Sequence, residues 1–170
     1  ALEPQPDGGR RLATLMHVLN RHLYVLTPAE KFATLCYLSL QADRRRVNYC
    51  NAGHETPVRI AADGAVERLS DGGTVLGAFP EMNYDVGEME LNEGDILAVY
   101  TDGLVDAVSR TGEEFGEDRL IGLLQDVRRQ RPDQILDAVF QRVQTWAEGV
   151  PQHDDITLVV ARQSGSPLSS

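Results

Sequence analysis

The sequence predicts an α+β domain, an αββα sandwich in which two antiparallel sheets are flanked by helices. Apolar strand-like segments follow one another through short connections rich in glycine, asparagine and aspartate, which is typical of hairpins and therefore of antiparallel sheets. Several of these strands are apolar on both faces, so both faces need cover. Because helical segments are few and strands are many, a sheet packed on a sheet with outer helices is the economical arrangement.

The composition indicates one soluble globular domain. The chain has 170 residues, of which 42% are hydrophobic and 25% charged. Its formal net charge of −10 disfavours nucleic acid and anionic membrane surfaces as partners, since both are recognised by basic patches. No apolar run approaches the ~18 residues that span a bilayer, and no signal peptide is visible. We therefore expect a cytoplasmic protein.

The first helix follows a flexible lead-in at residues 1–9. Apolar side chains then recur at spacings of three and four residues, which predicts an amphipathic helix over residues 10–26. The helix is expected to end at Thr27-Pro28, because a proline disfavours helical backbone in the residue before it. The apolar stripe consists of Leu12, Leu15, Met16, Leu19, Leu23 and Leu26.

A hairpin is predicted next. Phe32–Gln41 is apolar on both faces and is expected to be a central strand. The segment Ala42–Arg45 predicts a turn, and Arg46–Gly53 the return strand. Cys36 and Cys50 lie inside these strands and are interpreted as reduced core residues, with a disulfide between them as the alternative.

The middle of the chain predicts four further strands. A second hairpin lies in PVRIAADGAVERLS, where Asp63-Gly64 is a tight turn signal. Gly72-Gly73 is expected to open a loop. Two more strands, Tyr84–Leu91 and Asp95–Thr101, are joined by Asn92-Glu93-Gly94.

The last part predicts two helices and a strand. The helices cover about Glu117–Arg129 and Asp133–Glu148, and Gly149 and Pro151 end the second one. The strand is His153–Gln163, and residues 164–170 are expected to be a disordered tail. The second helix carries an apolar stripe of Ile135, Leu136, Val139, Phe140, Val143, Trp146 and Ala147.

Acidic residues stand at the ends of two predicted core strands. Asp102 ends one strand in YTDG, and Asp154 and Asp155 start another in HDDITLVV. Such carboxylates can converge at one edge of a sandwich, and burying them unpaired is costly. A hard divalent cation would offset their repulsion, so the pattern points to a Mg²⁺ or Mn²⁺ site. On spacing alone, an aspartate in a turn and an aspartate capping a strand remain the alternative.

A haloacid-dehalogenase-type phosphatase is the rival interpretation of YTDGLVDA. Covalent aspartyl catalysis needs a carboxylate two residues before Asp102, where this chain has Tyr100. That fold also alternates strands and helices, unlike the order predicted here. The rival interpretation is therefore rejected.

Four motifs in order carry a family resemblance: NYCNAGHETPVRI, the GGTVLG loop, LNEGDILAVYTDGLVDAVSRTGEEFGEDRL and HDDITLVVARQ. Together they resemble the metal-dependent serine/threonine phosphatases of the type-2C superfamily. The branch is the bacterial one typified by stage II sporulation protein E and the sigma-regulating phosphatases. The resemblance runs from about Leu12 to Ala161 and implies an αββα sandwich, with residues 10–163 forming the C-terminal two-thirds of such a domain.

The resemblance also implies roles for individual residues. Asp102 and Asp154 correspond to metal ligands of the family, with Mn²⁺ or Mg²⁺ as the cofactor. Asp155 and Gly103 correspond to supporting positions. His54, in the Ala-Gly-His loop, is interpreted as a residue that holds the hairpin rather than as a catalytic acid.

The chemistry implied by the family needs no protein nucleophile, because a water activated by two metal ions attacks phosphorus. The implied substrate is phosphoserine or phosphothreonine on a regulatory protein, typically an anti-anti-sigma factor. A sensor or receiver domain upstream in the parent protein fits this branch.

Two family motifs, Gly-Asp-x-x-Asp and Asp-x-Ser-Gly-x-Gly, have no counterpart before Leu12, where Asp7 is the one aspartate. Asp7 lies in a Pro/Gly-rich segment and is a poor substitute ligand. The fold is therefore expected to be incomplete at its N-terminus, with exposed edges that a homodimer could cover. The activity of this shortened chain is a separate question. A non-catalytic phosphatase-like binding or dimerisation module is the alternative function.

Overall fold

The computed structural model describes residues 8–28, 30–41 and 45–164. Most of the predicted lead-in, residues 42–44 of the predicted turn, Asp7 and the tail after residue 164 lie outside this part. Within it, four helices and eight strands follow in the order α1 (Gly8–Leu26), β1 (Leu35–Leu40), β2 (Arg46–Ala52), β3 (Val58–Ile60), β4 (Val66–Arg68), β5 (Gly72–Gly73), β6 (Gly87–Glu90), β7 (Ile96–Tyr100), α2 (Asp102–Val105), α3 (Glu117–Val127), α4 (Pro132–Trp146) and β8 (Leu158–Arg162).

The chain divides into two compact units, each built on one four-stranded sheet. The first unit comprises the described residues up to Thr56 together with Leu69–Leu91, and the second comprises Pro57–Arg68 and the described residues from Asn92 onward. Helix α1 packs on the first sheet, and helices α3 and α4 pack on the second. The predicted class, α+β with two sheets flanked by helices, is therefore confirmed.

The first unit is organised around β2, which pairs with β1, β5 and β6. The predicted hairpin of β1 and β2 is confirmed, with Tyr37 opposite Cys50 in an antiparallel register. Helix α1 packs on β2, as its apolar stripe predicts, and begins two residues earlier than predicted, at Gly8. The core of this unit consists of Leu12, Met16, Cys50, Ala52, Leu76 and Tyr84.

Both cysteines are free thiols, so the alternative of a disulfide is wrong. Cys50 is buried, as expected of a core residue, whereas Cys36 is half-buried. Burial raises the pKa of both thiols to about 11. These cysteines are therefore protonated packing residues at neutral pH.

Two strand predictions in the first unit are wrong. The segment Phe32–Gln41 is not a central strand: in the described part of the chain β1 pairs with β2 alone, and none of its residues is fully buried. Gly72-Gly73 does not open a loop but forms β5, which runs parallel to the end of β2. A Cβ atom on Gly72 would lie 1.8 Å from the carbonyl oxygen of Asn51, so the pairing requires glycine there.

The second unit has the strand order β4-β3-β7-β8, and every pair is antiparallel. The predicted hairpin of β3 and β4 is confirmed, and its turn contains Gly64 at a φ of +98°. Helix α4 packs on β8 along its predicted apolar stripe, and α3 packs on α4 and β3. The fully buried side chains of the core include Ile60, Ile96, Tyr100, Leu104, Phe115, Leu120, Leu124 and Ile135.

The connection Asn92-Glu93-Gly94 does not form a hairpin. Strand β6 pairs with β2, whereas β7 pairs with β3 and β8, so the chain changes sheets at this turn. The buried carboxylate of Asp95 fixes the turn: it accepts hydrogen bonds from the backbone of Asn92 at 2.8 Å and of Ala62 at 2.9 Å, and it pairs with Arg59. Among the described residues, no helix is long and apolar enough to cross a membrane.

Candidate metal site

Asp102 lies where β7 ends and the short helix α2 begins. Strand β7 is anchored by Tyr100, which is 1% exposed, and α2 buries Gly103, Leu104 and Val105. Asp102 itself is exposed. The sequence pattern did not predict α2, because four residues are too few to show a helical period. The turn of helix nevertheless fixes the backbone of Asp102 between two buried segments.

The acidic pair Asp154-Asp155 lies beside Asp102 because β7 and β8 are antiparallel neighbours. Tyr100 stands opposite Leu158 in their register, so the end of β7 meets the start of β8. The predicted strand His153–Gln163 begins only at Leu158, which leaves both aspartates in the irregular segment before it. The two acidic segments therefore lie next to each other at one end of the β7-β8 pair. Their action as a joint metal site stays a prediction.

Thr101 connects the two motifs through three hydrogen bonds. Its backbone N–H donates to the carbonyl of Thr157 at 3.1 Å, and its hydroxyl accepts from the backbone N–H of Thr157 at 2.9 Å. The same hydroxyl donates to the carbonyl of Asp155 at 2.9 Å. The residue type gives the signal that was missed: a β-branched hydroxyl directly after a strand can replace a ladder bond.

Gly103 allows the two segments to approach. A Cβ atom at this position would lie 2.6 Å from the carbonyl oxygen of Asp155 and 3.3 Å from the carbonyl carbon of Asp154. Those contacts are with backbone, which cannot rotate away as a flexible side chain can. The lack of a side chain at Gly103 therefore permits this close approach, whereas its supporting role in a metal site stays a prediction.

The carboxylates of Asp102 and Asp154 are held in the same way. Asp102 Oδ1 accepts the N–H of Gly103 at 2.9 Å, and Asp154 Oδ1 accepts the N–H of Asp155 at 2.7 Å. Among the described residues no donor reaches either Oδ2 atom. Each carboxylate is thus oriented through one oxygen, on a residue that is exposed.

Asp155 contributes through its backbone, since its carbonyl accepts the hydroxyl of Thr101 and its N–H donates to Asp154. A further contact steadies this segment: the side-chain amide of Gln152 donates to the carbonyl of Asp154 at 2.7 Å. Asp102, Asp154 and Asp155 are all exposed, so the expectation of buried carboxylates that need a cation to offset desolvation is wrong. Tyr100 and Leu158 at the strand ends are buried, whereas the acidic residues beyond them are exposed.

The donor set fits a partly hydrated magnesium or manganese ion. In the described part of the chain no three His, Cys, Asp or Glu side chains lie close enough to form a metal cluster. Mg²⁺, however, is commonly bound through only one or two carboxylates and keeps several of its waters. The carboxylates of Asp102 and Asp154 supply hard oxygen donors of that kind, so the residues present match the donor chemistry of such an ion.

His54 belongs to the first unit, in the loop after β2. Its backbone N–H donates to Asn51 Oδ1, and Asn51 Nδ2 donates to the carbonyl of His54, both at 2.8 Å. The imidazole Nδ1 lies 3.0 Å from the carbonyl of Glu55. These contacts are those of a residue that closes a turn, as the sequence suggested. Its supporting role for the site stays a prediction.

Comparisons with known proteins point to one family. The sequence model described as Stage II sporulation protein E (SpoIIE) matches residues 1–164. The phosphoserine phosphatase RsbU of Bacillus subtilis is 24% identical over 96% of this chain and 48% of its own length. The chain spans half or less of the curated relatives that it matches, from 20% to 48% of their length.

Solved structures share the fold. The SiaA-PP2C domain of Pseudomonas aeruginosa superposes with a TM-score of 0.79 at 21% identity, over 89% of this chain and 61% of that one. The phosphatase domain of the cell fate determinant SpoIIE from Bacillus subtilis, presoaked with Mn, gives a TM-score of 0.68 at 15% identity, over 98% and 77%. Two sheets flanked by helices are thus the architecture of phosphatase domains of this type.

Proposed function

Because the chain belongs to the stage II sporulation protein E family, we propose that it is a metal-dependent phosphoserine phosphatase domain. The observation that carries the proposal is the pair of exposed carboxylates, Asp102 and Asp154, at the adjoining ends of β7 and β8. Residues 10–163 would form the domain.

The metal would be Mg²⁺ or Mn²⁺, held by Asp102 and Asp154. When bound, such an ion supplies Lewis-acid polarisation of a phosphoryl group and an acidified water as nucleophile. Thr101 and Gly103 set the spacing between the two carboxylate-bearing segments, and Asp155 completes the connection through its carbonyl. A cysteine nucleophile is disfavoured because burial raises the pKa of Cys36 and Cys50 to about 11, so little thiolate is present at neutral pH.

The proposed substrate is phosphoserine on a regulatory protein of the anti-anti-sigma type. The name of the relative RsbU supports phosphoserine, and the branch of the family supports this class of partner. A cytoplasmic location follows from such a partner. We also propose a homodimer, which is supported by exposed apolar side chains in the first unit: Val25 is 71% exposed, Leu26 77% and Phe32 64%.

The proposal is tested with the purified chain, Mn²⁺ and two substrates, p-nitrophenyl phosphate and a phosphoserine peptide. We expect Mn²⁺-stimulated hydrolysis that a chelator abolishes, and calorimetric Mn²⁺ binding that Asp102→Asn and Asp154→Asn each weaken at least about tenfold, as for loss of one of two ligands. Asp137→Asn is the matched control, since Asp137 is an exposed aspartate of α4 outside the site. The proposal would be refuted if the rate of hydrolysis were the same in chelator as in Mn²⁺, or the same in Asp102→Asn as in the unsubstituted chain.

A non-catalytic binding module is the second candidate function. It is favoured by one observation: the described residues bring two carboxylates together but no third metal ligand. This candidate predicts that the chain captures its partner protein equally well with Mn²⁺ and with chelator, and that Asp154→Asn leaves capture unchanged. Partner binding that requires Mn²⁺ would exclude it.

A further inference from the structure

A groove in the second unit runs next to the candidate metal site. It has a volume of about 500 Å³ and lies between the C-terminal turns of α4, the irregular segment before β8 and the residues that follow α2. Its floor and walls are mostly apolar. They include Ala107, Phe140, Val143, Ala147, Val150 and Ile156.

Specific contacts fix the wall that follows α2. Arg110 Nε donates to the carbonyl of Glu148 at 2.7 Å, which ties this wall to the end of α4. Trp146 Nε1 adds a second tie by donating to the carbonyl of Glu113 at 3.1 Å. Gly149, which follows Glu148, has a φ of +80°, a backbone conformation that favours glycine. The groove is therefore preformed, as ligand sites commonly are.

The groove is continuous with the candidate metal site, because Gly103 and Asp154 belong to both. A phosphoserine whose phosphate lies at Asp102 and Asp154 is attached to a peptide chain. The residues next to it in that chain must pass over the neighbouring surface. The groove is the concave apolar surface that begins there, and it is of the size that takes one or two side chains.

The charged side chains around the groove favour some residues next to the phosphoserine over others. Asp106, Glu148 and Asp154 line it and are exposed, and Arg110, beside it, is 3.9 Å from the carboxylate of Glu148. His153 is the remaining titratable side chain of the lining. The rim is therefore acidic at neutral pH. Acidic residues flanking the phosphoserine would be repelled, whereas a lysine or arginine would be attracted.

We propose that this groove is a specificity subsite for the substrate protein, which binds a segment next to the phosphoserine that carries one large apolar and one basic side chain. The inference rests on the proposed function for the position of the phosphate, but the groove is defined by its own residues. The apolar side chain fills the space above Val143 and Ala147, and the basic group lies against Asp106 and Glu148. The partner is thus recognised by sequence around the phosphate as well as by the phosphate itself.

The test measures peptide binding by fluorescence anisotropy with Mn²⁺ present, because without a cation the carboxylates of Asp102 and Asp154 would repel the phosphate group. The probes are fluorescein-labelled peptides in which a phosphonate with a C–P bond replaces the phosphoserine, so that binding does not depend on turnover. They carry Leu-Lys, Leu-Glu or Ala-Ala two and three residues from the phosphonate, on either side. We expect the Leu-Lys peptide on one side to bind about tenfold or more tightly than the Ala-Ala peptide, the effect of burying one leucine, and more tightly than the Leu-Glu peptide.

Two variants locate the binding. Gln144→Trp places an indole in the groove from an exposed position of α4 and should weaken the Leu-Lys complex at least about tenfold, since it occupies the space of the buried side chain. Gln141→Trp, on the same helix and outside the groove, should not. Asp106→Asn should reduce the preference for Leu-Lys over Leu-Glu, whereas Asp137→Asn should leave it intact.

The outcomes separate the two proposals. Equal affinity for all peptides, no binding, or equal effects of the two tryptophan variants would overturn the subsite. Selective binding lost in Gln144→Trp supports the subsite even if the chain hydrolyses nothing, in which case only the proposed enzymatic function fails. If the chain hydrolyses all the phosphoserine peptides equally well, the proposed enzymatic function stands and the subsite is refuted.

Discussion

The glycine of the Thr-Asp-Gly motif offers the sharpest test of how the site is built. Gly103→Ala adds one methyl group, and its carbon would lie 2.6 Å from the carbonyl oxygen of Asp155. Ordinary contacts of a Cβ atom begin near 3.4 Å. The backbone at Asp155 or at Gly103 must therefore move by several tenths of an ångström, and the carboxylates of Asp102 and Asp154 move with it.

The expected loss in the free energy of unfolding depends on the kind of atom with which the added methyl group clashes. Overpacking against a backbone that cannot rotate away typically costs about 1–3 kcal/mol in the free energy of unfolding. The hydroxyl of Thr101 holds the same carbonyl at 2.9 Å, so the displacement also strains that hydrogen bond. We therefore expect Gly103→Ala to lie toward the upper half of that range.

The assay is urea unfolding followed by circular dichroism, with calorimetric Mn²⁺ binding as the second readout. Gly122→Ala is the matched control: Gly122 lies inside α3, and nothing is within 4 Å of a Cβ atom there. That substitution should stabilise the protein by up to about 1 kcal/mol, since alanine is the better helix former. If Gly103→Ala is as stable as the parent chain and binds Mn²⁺ equally well, the proposed close packing of the two motifs is wrong.

Three further predictions concern the same structure. Thr101→Val should lower the free energy of unfolding by about 0.5–1.5 kcal/mol, because it removes the hydroxyl that accepts the N–H of Thr157 and donates to the carbonyl of Asp155. Thr101→Ser, which keeps a hydroxyl, should retain most of the stability, and urea unfolding measures both. Asn20→Ala should lower the free energy of unfolding by at least about 2 kcal/mol in the same assay, since the buried Asn20 Oδ1 accepts hydrogen bonds from the N–H of Gly77 and the hydroxyl of Tyr84. A decrease of less than about 0.5 kcal/mol would contradict this. Cys36 and Cys50 should react slowly with a thiol reagent at pH 8 in the folded chain, because a pKa of about 11 instead of 9 leaves about one hundredth of the thiolate. The reaction rate should rise steeply as the pH approaches 11. Rapid reaction of the folded chain at pH 8 would show that the pKa of these thiols is not raised.

Local patterns were sufficient for the elements whose structure is decided locally. Helix α1 and the two later helices follow from apolar residues that repeat every three or four positions, and their observed ends differ from the predicted ones by about two residues. The turn at Asp63-Gly64 follows from the need for a positive φ, which Gly64 adopts. In each case the residues that determine the element are neighbours in sequence.

Pairing between distant segments was not predictable in the same way. Apolar residues on both faces of Phe32–Gln41 predict a central strand. Such a pattern indicates that both faces of a strand are covered, but it does not indicate whether one or two strands are hydrogen-bonded to it. Likewise, the short connection before Asp95 does not reveal that the strands on its two sides belong to different sheets. The decisive contact there, from Asp95 to the backbone of Ala62, spans 33 positions and leaves no local pattern.

The candidate site shows both cases within a few residues. The acidic ends of β7 and β8 could be proposed to converge, since carboxylates at the ends of core strands can meet at one end of a sheet, although turn and capping roles explained the same pattern. The sequence did not reveal that Thr101 would bridge to Asp155 across 54 positions, or that Gly103 would be the contact surface between the segments. In Thr-Asp-Gly, therefore, the aspartate is exposed and its two neighbours fix its position. Substitutions at Thr101 and Gly103 should alter Mn²⁺ binding, although neither residue has a carboxylate that could bind the ion.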